Sequence, residues 1–234
     1  MALPKLNDTP SYSMIVPSTG KEVLYRPYLV KEEKILLMAF EANDEKQAMR
    51  AMVDVIDSCV KNGVDAKSLT TFDVEHMFTQ IRAKSVGEKA NIGIKCSSCE
   101  ASNEIEIDLG KLNVTTNELG NVIELTDDIS IEMKYPSFLD MSDAVGVDLK
   151  ESEFAYDTIT KCIGAIVTED ERYDASDVSK KELTEFVEGL TSAQFIKLGE
   201  WLQKMPKLSH TVTFKCNKCE ADNEHILEGM QSFF

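Results

Sequence analysis

Two cysteine pairs carry the residue pattern in this chain best suited to defined chemistry. Lys95-Cys-Ser-Ser-Cys-Glu-Ala-Ser-Asn-Glu104 and Lys215-Cys-Asn-Lys-Cys-Glu-Ala-Asp-Asn-Glu224 agree at seven of ten positions. The Cys-x-x-Cys spacing lets two thiolates from one tight turn grip a single metal ion. Each pair supplies half of a tetrahedral shell, so Cys96, Cys99, Cys216 and Cys219 together predict one four-cysteine zinc site. A shell filled by four protein ligands leaves no position for water, so it builds structure and does no chemistry. The pairs stand 120 residues apart, Cys96 to Cys216. The metal would therefore tie the middle of the chain to its end.

Other readings of these cysteines fit less well. A redox Cys-x-x-Cys sits where a strand turns into a helix, which depresses the first thiol's pKa. Here alternating, extended segments flank each pair instead: Asn91 to Cys96 and Glu104 to Leu109, then Thr211 to Cys216 and Asn223 to Leu227. The apolar residues fall two apart and in phase with the first cysteine (Ile92, Ile94, Cys96; Val212, Phe214, Cys216). Two hairpins, each with a knuckle at its tip, make a zinc ribbon, and two hairpins without metal are the next reading. Disulfides rank last, since Met1-Ala-Leu-Pro-Lys-Leu has neither the basic patch nor the apolar core of a secretory signal. His225, beside the second knuckle, is an ordinary strand residue or a substitute ligand. Cys59 and Cys162 fall on apolar positions of predicted helices and read as buried free thiols.

Charge narrows the function. The chain has 41 acids against 25 bases, a formal net charge of −16. A nucleic-acid binder needs Lys and Arg to displace phosphate counterions, and both knuckles are acidic. The same charge also reads simply as solvated faces and good solubility. No P-loop, dinucleotide glycine fingerprint, Gly-x-Ser-x-Gly or His-Glu-x-x-His is present. His76, His210 and His225 lie in unrelated segments. Catalysis is therefore not expected, and a carboxylate-based hydrolase is the weakest reading. No apolar run approaches the ~20 residues of a membrane span.

The elements that must position the knuckles follow from periodicity. Tyr12 to Val16 and Glu22 to Arg26 flank Pro17-Ser-Thr-Gly-Lys21, a β-hairpin. Lys31 to Asn43 predicts a helix with Ile35, Leu36, Met38, Ala39 and Phe40 inward. Asp44 caps a second helix through Val60, with Met49, Met52, Val53, Ile56 and Val60 at helical spacing, stopped at Asn62-Gly63. Thr71 opens a third, with Val74, Met77, Phe78 and Ile81 inward. Val122 to Leu125 and Ile129 to Tyr135 predict a strand pair joined at Asp127-Asp128. Glu151 to Val167 predicts a helix burying Phe154, Ile159, Cys162, Ile163 and Ile166, followed by an acidic loop through Asp177. Ser179 and Glu182 match a capping box. Thr191 caps a last, nearly all-round apolar helix bearing Phe195, Ile196, Leu198, Gly199, Trp201 and Leu202. The ten methionines mostly fall at core spacing and read as gap fillers before they read as a partner surface.

These residues also resemble a family. Met1 to Asn7, Val16-Pro-Ser-Thr-Gly-Lys21 and Tyr25 to Lys34 are similar to the baseplate hub proteins of T4-like contractile-tailed phages. So are Tyr173 to Leu183, Met205 to Val212 and Leu227-Glu-Gly-Met-Gln-Ser-Phe-Phe234. The likeness is weakest over Asn113 to Ser152. It implies a non-enzymatic role in building the central hub of the tail baseplate, with other hub proteins as partners and no nucleic acid, membrane or small-molecule substrate. It implies the host cytoplasm during assembly, and the virion baseplate for a subunit that stays. A zinc-ribbon regulator of phage transcription or replication is the alternative. The expected fold is α+β: an N-terminal β-hairpin and helices, then a split four-cysteine zinc ribbon closing a long helical and extended insertion. One compact unit is expected, with sub-parts 1–30, 31–88, 89–110 plus 208–230, and 111–207. The chain ends, with Leu3, Leu6, Phe233 and Phe234, are the expected partner contacts.

Overall fold

A computed structural model describes residues 9–42, 44–61, 63–115, 120–142 and 151–233. Its first strands, β1 (Tyr12–Ile15) and β2 (Glu22–Tyr25), form the expected hairpin in the register Tyr12↔Tyr25. Gly20, at φ +66°, closes the turn in a backbone conformation that disfavours a side chain. Helices α1 (Val30–Glu41) and α2 (Glu45–Cys59) follow, and β3 (Val60–Lys61) returns to pair with β2. Asp44 caps α2 as expected, its carboxylate accepting the Gln47 N–H. α3 (Thr71–Ser85) buries Val74, Met77, Phe78 and Ile81 against α2, which contributes Met52, Val53, Val55 and Ile56. The fully buried Asp73 accepts bonds from the Thr70 N–H and hydroxyl and from the Ser18 N–H at 2.8 Å. One carboxylate thus caps α3 and pins the hairpin turn to it.

Strands β4 (Lys89–Lys95) and β5 (Ser102–Asp108) make the first knuckle hairpin, and β6 (Asn113–Val114) runs on from it. Next come β7 (Val122–Glu124) and β8 (Ile129–Met133), the short α4 (Phe138–Ser142), α5 (Glu151–Cys162), β9 (Ile163–Thr168) and β10 (Arg172–Asp174). α6 (Lys180–Glu188), with its Ser179/Glu182 capping box, and α7 (Ser192–Gln203), with Thr191 and Gln194, complete this stretch. The chain ends in the second knuckle hairpin, β11 (Leu208–Lys215) and β12 (Asp222–Glu228), with β6 paired to β11.

Contacts divide the chain into two compact units: Met1–Thr115 with Lys207–Phe234, and Thr116–Pro206. Within the first unit, the strands on either side of that insertion are bonded to each other. The Thr115 N–H donates to the Lys207 carbonyl at 2.9 Å, and the Lys207 N–H donates to Thr115 Oγ1 at 3.0 Å. In the second unit the antiparallel order is β10-β9-β8-β7. Ile131, Met133, Ile159, Cys162, Leu198 and Trp201 form its core, where the indole N–H of Trp201 donates to the Gly120 carbonyl at 2.7 Å. No helix of the described residues is long and apolar enough to cross a membrane.

Five expectations need correction. The helix expected through Val167 stops at Cys162, and Ile163 and Ile166 belong to β9, where β-branched side chains pack better on a pleated surface. Gly164 allows a register shift opposite Glu132/Met133, where an added Cβ would meet the Glu132 carbonyl at 3.0 Å. Phe154, expected inward, is exposed. The acidic loop contains β10, whose Arg172 reaches Glu132 at 2.5 Å and Asp174 at 3.0 Å. On α1 only Leu36 and Ala39 of the expected stripe are buried; Ile35, Met38 and Phe40 face outward. On α7, Ile196 is likewise exposed. Asn62 lies outside the described residues.

Arg26 and Glu32 form an ion pair that the periodicity did not signal. The Arg26 guanidinium donates to Glu32 at 2.8 Å and to the Ser58 carbonyl at 3.0 Å, while Glu32 also accepts the Leu29 N–H at 2.8 Å. The pair joins the end of β2 to the start of α1 and the end of α2. Burial pushes the Glu32 carboxyl up, but bonds from Arg26, Leu29 and Lys31 outweigh it and bring it down to about 2. A carboxyl depressed in the folded state adds stability that is complete above its unfolded value of 4.5 and is lost as pH falls towards 2. Glu32→Gln is therefore expected to cost about 1.5–3 kcal/mol at pH 7. Denaturant titrations should show that deficit vanishing between about pH 4.5 and 2.

Candidate metal centre

Each knuckle is built by the same local bonds. In the first, the Cys96 N–H donates to the Ala101 carbonyl at 2.9 Å and the Glu100 N–H to the Cys96 carbonyl at 2.9 Å. In the second, the Cys216 N–H donates to Ala221 at 2.9 Å and the Glu220 N–H to Cys216 at 3.0 Å. The tightness of this turn puts Glu100 at φ 57° and Glu220 at φ 58°, the left-handed region, which disfavours residues with a Cβ. That conformation costs a non-glycine residue roughly 1–2 kcal/mol. Both copies keep the glutamate and bear the strain. The turn aims both sulfurs of a pair to one side.

The two pairs meet. Sγ of Cys96 stands 3.6 Å from Sγ of Cys219, and Sγ of Cys99 stands 3.7 Å from that of Cys216. All four sulfurs lie within 4.8 Å of one another, close enough to hold a metal ion. Among the described residues this is the one cluster of three or more ligand-type side chains so placed. Cys96 and Cys216 are buried, and Cys219 is exposed.

A second set of bonds crosses between the hairpins, and the sequence reading missed it. Asn103, from the first hairpin, accepts the Asn217 N–H at 2.8 Å and directs its amide N–H group at Sγ of Cys216, 3.8 Å away. Asn223, from the second, accepts the Ser97 N–H at 2.9 Å and directs its own at Sγ of Cys96, 3.5 Å away. Each also donates to its own knuckle, to Ala101 or Ala221, at 2.9 Å. Both side chains are buried, and the exchange is reciprocal. The signal was available, since Asn103 and Asn223 are matching positions of the repeated decapeptide. His225 stacks on Phe214 with ring centroids 5.7 Å apart and has Nε2 3.3 Å from the Ser97 hydroxyl, so it stands beside the four-sulfur group.

These donors set the charge on the sulfurs. The Ser98 N–H at 3.4 Å, followed by the Cys99 N–H and Asn223, brings Cys96 down to about 6 against the opposing effect of burial. The Cys219 and Lys218 amides lower Cys216 in the same way. Cys219 gains from the Ala221 amide, but its thiol neighbours and burial push it up to about 12. Negative charge is thus favoured on Cys96 and Cys216 over Cys219. Burial is the main effect that raises the other thiols, Cys59 to about 11 and Cys162 to about 12, as expected of inert core cysteines. Leu3, Leu6 and the side chains of Phe233 and Phe234 lie outside the described residues.

Known proteins bear on this arrangement. A family model described as T4 bacteriophage base plate protein matches residues 9–234. The baseplate hub assembly protein gp26 of Enterobacteria phage T4 is 23% identical over 180 residues, covering 77% of this chain and 80% of that protein. No solved structure matches the chain.

Partners that orient and polarise metal ligands typically carry 10–100-fold in affinity. Asn103→Ala or Asn223→Ala is therefore expected to weaken metal retention by about tenfold or more in competition with a chromophoric chelator. Equal retention in both variants and the parent would mean the crossing bonds serve the hairpins alone.

Proposed function

The chain belongs to the T4 bacteriophage base plate protein family, and from that premise we propose that it is a non-enzymatic, zinc-bearing protein of the baseplate hub of a contractile-tailed phage. It acts in building or forming that hub by binding other hub proteins. The observation that carries the reading is the match over residues 9–234, together with similarity to a hub assembly protein over 77% of the chain.

Zinc fits the four sulfurs. Tetrahedral zinc with bonds of about 2.3 Å to thiolates spaces its sulfurs about 3.8 Å apart, and two of the sulfur pairs here stand 3.6 and 3.7 Å apart. Bound there, the ion supplies a cross-link with no open position for a reaction. Cys96, Cys99, Cys216 and Cys219 hold it, Asn103 and Asn223 orient the sulfurs, and the paired turns set the spacing. The result is a rigid joint between two hairpins, suited to presenting a protein surface. The acidic balance, −16, supports protein partners over nucleic acid and weighs against a regulator that binds DNA.

Affinity-tagged protein recovered from infected cells is expected to bring down baseplate hub proteins, identified by mass spectrometry, with yield insensitive to nuclease. Recovery of RNA polymerase or replication proteins, or salt-sensitive DNA binding, would contradict the proposal. Cys216→Ser should lower the melting temperature and expose the β11–β12 amides to hydrogen exchange before those of α2 and α3. A variant that melts and exchanges like the parent would make the metal dispensable.

A further inference from the structure

The second half of helix α1, Ile35 to Phe40, is apolar on every face, yet the described residues of the first unit bury only one side of it. Leu36 and Ala39 face its core, while Ile35 (48%), Leu37 (56%), Met38 (60%) and Phe40 (48%) remain exposed. Val30, at 79%, and Val86, beyond the end of α3, at 62%, extend the same surface. A helix with apolar residues on every face is normally covered on every face. Contiguous apolar surface of this kind marks an interaction site on a soluble protein.

Part of this surface, Leu37, Phe40 and Val86, lines a cleft. Another cleft, of about 450 Å³, lies in a polar part of the second unit, lined by Asp157 and Lys180. The one beside α1, about 440 Å³, is lined mainly by apolar side chains, among them Tyr28, Leu37, Phe40, Met52, Phe78 and Met230. Met230 is held in place by its N–H, which donates to Glu75 of α3 at 3.2 Å. Two charges stand on different walls: Glu33 on α1 and Arg82 on α3.

The walls decide what can fill this groove. Most of them belong to α1, α2 and α3, whose backbone groups are already bonded internally, so they offer no strand edge. An extended segment laid there would press its own N–H and C=O groups against apolar side chains without partners. A helix satisfies its own backbone and offers an apolar stripe. Glu33, on the α1 wall, then calls for a base on the flank of that stripe facing it. A second copy of this chain would bring another −16, and like net charge opposes such pairing.

We infer that the α1–α3 groove is the docking site for an amphipathic helix of a hub protein less acidic than this chain, with apolar anchors at i, i+3 or i+4, and i+7. The inference deepens the hub reading and rests on it: the groove is where the hub partner is held.

The test uses the full chain and the hub proteins of the same phage, each purified separately. Equilibrium binding is compared for the parent, Leu37→Ala, Leu37→Glu, Phe40→Glu and the second-unit control Ile196→Glu, with melting temperatures confirming that each is folded. Groove residues that act as anchors are expected to weaken binding about tenfold or more when charged, with Leu37→Ala intermediate and Ile196→Glu unchanged. A photo-crosslinker in place of Phe40 should then join a hub-protein segment with apolar residues at helical spacing. Parental binding by folded groove variants would overturn the inference while leaving the hub reading intact. So would crosslinks to residues 1–8 of this chain, to a second copy, or to an extended segment. Absence of binding between the parent and every hub protein would overturn both.

Discussion

The convergence of four sulfurs within 4.8 Å is the constraint on which the first unit depends. Their spacing requires two hairpins, far apart in sequence, to bring their tips together and face each other. The crossing bonds of Asn103 and Asn223 lock that arrangement, since each buried amide satisfies the other knuckle's backbone as well as a sulfur. Strain at Glu100 and Glu220 persists because the turn geometry that aims the sulfurs demands it. Behind the knuckles, Ile94, Ile107, Leu112, Leu208 and Val212 form an apolar cluster with Ala83 of α3. The four-sulfur cluster and the helices are therefore parts of one packed unit.

Loop topology follows from the same point. The second unit leaves at Thr115 and returns at Lys207, residues bonded side by side. A sequence-distant joint of this kind lets 91 or so intervening residues (roughly, by the unit bounds) form their own core without loosening the hairpins, since loop-closure entropy grows only slowly with length. The second unit has a core of its own, with Trp201 buried and stacked on Tyr135 at 5.2 Å.

Much of this was legible in the sequence. The knuckles, both hairpins and the caps at Asp44, Ser179 and Thr191 are signalled by short-range chemistry, and local bonds form them. What was not legible depended on partners distant in the chain. Ile163 to Thr168 continues the apolar pattern of α5, but pairing with β8 draws it into a sheet. Arg26 and Glu32 carry no local signal, because they are partnered only where the ends of β2, α1 and α2 meet around them. On α1 the periodicity was real but incomplete as a guide, because apolar residues outnumber the positions that this chain covers. Asn103 and Asn223 were visible as repeated letters; their role needed the hairpins opposed.

Zinc at the centre of two opposed knuckles is the claim from which the rest is argued, and X-ray absorption at the zinc edge, with elemental analysis of protein purified without chelator, tests it most directly. The account predicts one zinc per chain surrounded by four sulfurs at about 2.3 Å. Absence of metal, two zincs per chain, or a first shell containing nitrogen or oxygen would contradict it.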